Sequence, residues 1–285
     1  MSRKIVDSNA MQSDALRSFL NASTNNYAVL NDYAAMEAYK GDTLISIFRS
    51  MKIVCEFPRQ IIVLKTTGRI CSLAGRAQGL QRRMIEERHT RDFPNFCRRL
   101  RAAEEGDALM QRQLVESGRA ADKQMDRILA SAPILPGAIK ELRKTFREEE
   151  LRAIRLDHPF PDTLVQKAMK FIIELTFVAM STHPSASPRV GSADELQNTF
   201  LFRHSVATFV WSLDWIARGG ADNVRADRMR NDVVDVMFAT YATFFDGLLS
   251  KDERAQRVYQ ATHSILSKLV RVSTGSLPAE ERAAR

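Results

Sequence analysis

Five carboxylates stand where a chain of alternating strands and helices would gather them. Asp7 directly follows the short strand-like run Lys4-Ile5-Val6, and Asp252 comes two residues after the end of Gly247-Leu248-Leu249-Ser250. In a parallel sheet both positions fall at the carboxyl edge of the strands, where open α/β folds bind ligands. Glu37 lies on the first two turns of a helix after a second apolar run, Tyr27-Ala28-Val29-Leu30. Asp232 and Asp235 are three residues apart on a later helix and share one of its faces. That helix leads into the strand before Asp252. Carboxylates gathered this closely repel one another unless a cation neutralises them. Mg²⁺ and Mn²⁺ are hard cations that take oxygen ligands and also bridge to phosphate. Taken singly each acid has a plainer use: Asp252 suits a helix cap, and Asp246, just before Gly247, suits a turn.

The elements that position these acids lie at the two ends of the chain. Residues 1 to 65 read as strand (Lys4 to Val6), helix (Ser13 to Leu20), strand (Tyr27 to Leu30), helix (capped by Asn31-Asp32 and reaching about Tyr39), helix (Thr43 to Cys55) and strand (Ile61 to Leu64). The unbroken run Ile61-Ile62-Val63-Leu64 suits a strand buried on both faces. Such alternation is the grammar of a parallel α/β sheet. The middle, 68 to 220, reads as helices near 76–104, 107–130, 138–156, 162–181 and 193–218, with breaks at 132–137, 158–161 and 181–192. From Asn223 the pattern is helix to Phe245, strand Gly247 to Ser250, then a helix from Asp252 to about Val270. The expected organisation is therefore an α/β core from 1–65 plus 222–272, an all-α insertion at 68–220, and a loose tail at 273–285.

Composition narrows the classes. With 45 % apolar and 27 % charged residues the chain matches ordinary globular proteins, which excludes disorder or a fibrous repeat as the main account. Only 12 Gly and 9 Pro are too few turn formers for a β-sandwich or propeller. No membrane span is expected: Phe171 to Met180 is about ten residues and contains Glu174, against the roughly 20 a spanning helix needs. Two apolar residues before Asp7 make no signal-peptide core. Cys55, Cys71 and Cys97 form no close pair in sequence and read as reduced thiols of a cytoplasmic protein. Lys and Arg number 42 against 34 Asp and Glu, a net +8, which suggests a polyanionic partner. Much of the excess is arginine between Arg76 and Arg101, and Arg82, Arg83 and Arg88 are the residues expected to meet a nucleic-acid backbone.

Together these segments resemble a known family. Lys4-Ile5-Val6-Asp7-Ser8-Asn9 resembles the opening strand of PIN-domain nucleases, and Tyr27 to Tyr39, with Glu37, resembles their second strand and second-acid helix. Asn231-Asp232-Val233-Val234-Asp235, Tyr241-Ala242 and Leu248-Leu249-Ser250-Lys251-Asp252 are similar to the third-acid helix and the final acidic strand end. The resemblance implies a three-layer α/β sandwich elaborated by the helical insertion. It also implies cleavage of RNA, less often DNA, by water activated on Mg²⁺ or Mn²⁺. Asp7, Glu37, Asp235 or Asp232, and Asp252 would be the ligands, with Asn9 and Ser250 orienting them. The length of helix up to Gly247 favours Asp235 over Asp232. A toxin or defence role, an antitoxin or inhibitor protein as partner, and a homodimer all fit that family.

Other readings stand beside it. Arg83-Met84-Ile85-Glu86-Glu87-Arg88-His89 matches the Arg-x(4–6)-His spacing of metal-free HEPN ribonucleases, although that spacing is cheap in an arginine-rich helix. His89 suits an exposed helix position better, and His204 a satisfied core or edge position. A non-catalytic PIN-like module binding nucleic acid or protein is the alternative from another class. Phe200, Phe202, Phe209, Trp211 and Trp215 suit the core of the helical insert better than a partner surface.

Overall fold

The computed structural model describes residues 1–130, 132–156, 161–182, 190–219 and 226–273, without the side chains of 226, 227 and 270–273. The expected break at 158–160, most of the loop at 181–192, the helix start at 223 and the tail after 273 lie outside the described residues.

A small parallel sheet holds the two ends of the chain together in a mixed α/β fold that is mostly helical. β1 (Ser2–Val6), β2 (Asn26–Leu30), β3 (Ile61–Val63) and β4 (Leu248–Leu249) lie in the order β3-β2-β1-β4, and every pairing is parallel. Ile5 is paired with Val29 on one side and Leu248 on the other, and Val29 with Ile62, so one apolar row crosses all four strands. β-Branched residues dominate that row because they pack well on a pleated, buried surface. Gly247, at φ +131°, turns the chain into β4 while its carbonyl accepts the Ile5 N–H. Asp246 has the expected turn role: its carboxylate and its N–H clasp the backbone of Arg3.

Between the strands run α1 (Asp14–Asn21), α2 (Asp32–Ala38) and α3 (Thr43–Glu56). Ser13, Asn31 and Asp42 cap them by accepting N–H groups from the first turn. The expected helix at 76–104 is broken. After α4 (Thr67–Cys71) comes α5 (Leu80–Met84), then extended Ile85, which bridges antiparallel to Leu64, then α6 (Glu87–Glu104). α7 (Ala108–Leu129) approaches α3 so closely that a Cβ on Gly118 would meet the Thr43 side chain at 2.7 Å. The remaining helices are α8 (Leu135–Lys144), α9 (Glu148–Leu156), α10 (Asp162–Thr182), α11 (Ala193–Gln197), α12 (Phe200–Ala217), α13 (Ala226–Ala242) and α14 (Glu253–Ser273). The expected helices at 138–156 and 193–218 are thus each two. Among the described residues no helix is long and apolar enough to cross a membrane.

Two apolar clusters form. One wraps the sheet and includes Leu80, Phe93, Leu100, Leu114 and Leu129 from α5 to α7. The other begins at Ala132 and centres on Phe209, Trp211 and Trp215 of α12, with all three rings buried. The first cluster also takes in Phe200 and Leu201 at the start of α12, so the two clusters do not divide at one point of the sequence. α13 and α14 contribute to both clusters, which joins the lobes. A correction concerns the thiols: Cys55 on α3 and Cys97 on α6 form a disulfide, and Cys71 is free and buried.

Candidate functional site

Asp7 begins the turn after β1, at the carboxyl edge and between β2 and β4, where the strand order reverses direction. That crevice is the usual ligand position of an open parallel sheet. The Asp7 carboxyl is buried. Its Oδ2 accepts the Ser250 hydroxyl at 2.6 Å and its Oδ1 accepts the Ser8 hydroxyl at 3.3 Å. Burial pushes its pKa up, against the pull of those hydroxyls and of the Asn9 and Ser8 N–H groups. Ser8 also donates to Glu37 Oε2 at 2.5 Å. One hydroxyl proton cannot serve both acids at once, and the shorter bond assigns it to Glu37. Burial raises the Glu37 pKa; Ser8 lowers it, the charge of Asp7 raises it further and Lys40 opposes.

Asp252 lies between β4 and α14. Its Oδ1 accepts the N–H groups of Arg254 and Ala255, so the capping use is real, and its own N–H donates to Ser250 Oγ at 2.9 Å. Ser250 is thus the hinge between Asp7 and Asp252. Asp235, on α13, is the most crowded acid. Burial, then the charges of Asp252, Asp7, Asp232 and Glu37, push its pKa up to about 8. No hydrogen bond contributes to offsetting that rise.

Asp232 is held differently, although it shares a helix face with Asp235. Its Oδ2 accepts the indole N–H groups of Trp211 at 3.4 Å and Trp215 at 3.0 Å, and it is ion-paired with Arg254 Nη1. Arg254 is itself buried, bonds Asp214 at 2.8 Å and lies over the Trp215 ring at 4.3 Å. Asp232 therefore sits in a closed polar knot between α12, α13 and α14. Of the two aspartates, Asp235 is the one without such partners among the described residues.

The sequence missed Ser8, whose place beside Asp7 reads as a turn residue, and Arg254, whose partner lies on another helix. Asn9 offers Asp7 its backbone N–H. Arg83 is half-exposed, and its guanidinium donates to the carbonyls of Ala74, Arg76 and Gln78, which staples the loop before α5. Arg82 and Arg88 are exposed and line two clefts that contain none of the five acids. His89 is exposed, while His204 is partly buried, 3.3 Å from Thr240, with burial holding its pKa down at about 4.

Among the described residues no three Asp, Glu, His or Cys side chains lie close enough to close on one ion. The acids offer the donor chemistry of a hard cation site, carboxylate oxygen, but as placed they do not close on one ion. No protein-family model, curated protein or solved structure matches this chain.

Proposed function

We propose that the chain is a PIN-like phosphodiesterase that cleaves RNA with Mg²⁺ or Mn²⁺. The observation that carries the reading is Asp235, its pKa raised first by burial and then by the charges of four other acids gathered near the carboxyl edge of a parallel sheet. Crowding of this kind is unfavourable in a purely structural site and useful beside a cation. Asp7, Glu37, Asp235 and Asp252 would hold the ion. When bound it supplies a water of lowered pKa and offsets charge on the phosphate. Ser250 ties the Asp7 carboxylate to the Asp252 backbone, and Ser8 fixes Glu37. The Arg254 knot keeps Asp232 out of the set and anchors the turn of α13 that carries Asp235. A toxin or defence effector, restrained by an inhibitor protein, is the role such an activity suits.

Mn²⁺ titration calorimetry on wild type and Asp7→Asn, with cleavage of labelled RNA and DNA followed in Mg²⁺, Mn²⁺ or EDTA, tests the reading. Loss of metal binding and of turnover in Asp7→Asn is expected. Equal metal affinity in both proteins, or turnover that survives in EDTA, overturns it. A second reading, a non-catalytic binding module, draws on the separation of the carboxylates, which do not close on one point. It predicts no Mn²⁺ uptake by either protein.

A further inference from the structure

Two clefts meet at Glu37 and Lys40. The smaller, about 250 Å³, is polar: Ser8, Gln12, Ser46 and Ser50 line it with Lys40 and Arg49, and Glu37 is its only acid. Arg49 is exposed, and unlike Arg17, Arg82, Arg99 and Arg230 it has no ion-pair partner among the described residues. The larger cleft, about 410 Å³, is lined by Met36, Met125, Leu129 and Val234 together with Asp122, Asn231 and the ion-paired Asp126 and Arg230. An apolar floor with a few polar groups at its edge suits a flat ring with hydrogen-bonding edges.

Resting on the phosphodiesterase reading, we propose that these clefts hold a single-stranded polynucleotide. A backbone phosphate sits between Lys40 and Arg49, and the neighbouring base lies unpaired on the Met125 floor. Glu37, on the wall between them, then faces the strand where it crosses from one cleft to the other. A duplex keeps its bases stacked inside and fills the floor only if a nucleotide is extruded, which costs unstacking energy. The surface so defined is separate from the one that Arg82 and Arg88 line.

The test is fluorescence anisotropy in EDTA, with labelled oligouridylate, oligothymidylate and an RNA duplex as probes. Wild type is expected to bind at least one single strand about tenfold more tightly than the duplex, because only an unpaired base reaches the apolar floor without the cost of unstacking. The double variant Lys40→Gln/Arg49→Gln should lower the slope of log affinity against log salt by about 1.4, at about 0.7 for each phosphate no longer neutralised. Met125→Gln should weaken single-strand binding several-fold and leave the slope unchanged. Equal affinity for duplex and single strand, or a double variant with wild-type affinity and slope, overturns the proposal. Turnover in Mn²⁺, measured on the same samples, separates the two ideas. Cleavage with an unaffected double variant sinks these clefts alone, whereas selective binding without cleavage sinks the nuclease reading alone.

Discussion

Replacing Asp235 with Asn removes a charge, and hardly any volume, from the most crowded carboxylate in the molecule. Burial first, and then Asp252, Asp7, Asp232 and Glu37, hold its pKa at about 8 against an ordinary 3.8. Between those values the folded protein keeps a proton that the unfolded chain has released, so folded stability falls as pH rises. The penalty is absent below about pH 4, grows through the interval and is complete above about pH 8. At about 1.36 kcal/mol for each pH unit its ceiling is about 6 kcal/mol. Water reaches a partly exposed carboxyl, and screening brings the working figure to about 2–3 kcal/mol. At about 2 °C per kcal/mol for a chain of this size, Asp235→Asn should melt about 5 °C above wild type at alkaline pH in EDTA. The two should melt together near pH 4. Asp232→Asn, on the same face, is the control. Loss of its charge takes one of Arg254's two carboxylate partners and leaves Asp214 alone, so the variant should melt below wild type. Circular-dichroism melts across pH measure both. A gap between Asp235→Asn and wild type that does not widen with pH would refute the crowding argument.

Three further outcomes are expected. Reducing Cys55–Cys97 opens a loop spanning 42 residues of sequence, and chain entropy puts the loss at about 4 kcal/mol; thiol counting under denaturing conditions should rise from one to three as the melting point drops. Lys167→Met removes the ammonium 2.7 Å from fully buried Glu150 and should cost about 3 kcal/mol. Burial opposes the Glu150 charge, yet Lys167, the Arg147 N–H and Thr163 hold its pKa below 4.5, so its contribution is present above that value and is lost on acidification. The variant should therefore show a flatter acid limb in the same melts. Arg83→Gln frees three carbonyls at about 1 kcal/mol each, and should lower the melting point while leaving the salt slope of nucleic-acid binding at its wild-type value.

The strands and the acids at their ends were readable because the signals are local. Ile5-Val6 runs straight into the turn residues Asp7-Ser8-Asn9, Ile61-Ile62-Val63 is an unbroken apolar run, and Asn31 caps α2 as its type suggests. Features decided by distant partners were not readable. Asp232 and Asp235 look alike three residues apart, and only Trp211, Trp215 and Arg254, folded in from other helices, separate them. The arginine-rich stretch reads as one helix because charge says nothing of the bridge between Ile85 and Leu64 that interrupts it. The disulfide was hidden for the same reason. Cys55 and Cys97 lie on helices whose packing brings their Cα atoms to 5.5 Å.

The short pairing between β4 and β1 sets an order of events. Ile5 pairs with Leu248, and Asp7 receives its hydroxyl from Ser250, across nearly the whole length of the chain. Domains tend to fold from the amino end as they leave the ribosome. A nascent chain therefore displays Asp7 and Glu37 long before Asp235 and Asp252 have been made. The four acids are assembled only when synthesis has passed the last strand. A chain released early, by a premature stop or by a protease cutting among the middle helices, keeps half of the set and none of the crowding at Asp235. If the site cleaves RNA, this layout keeps the half-made protein harmless to the message and the ribosome that are producing it.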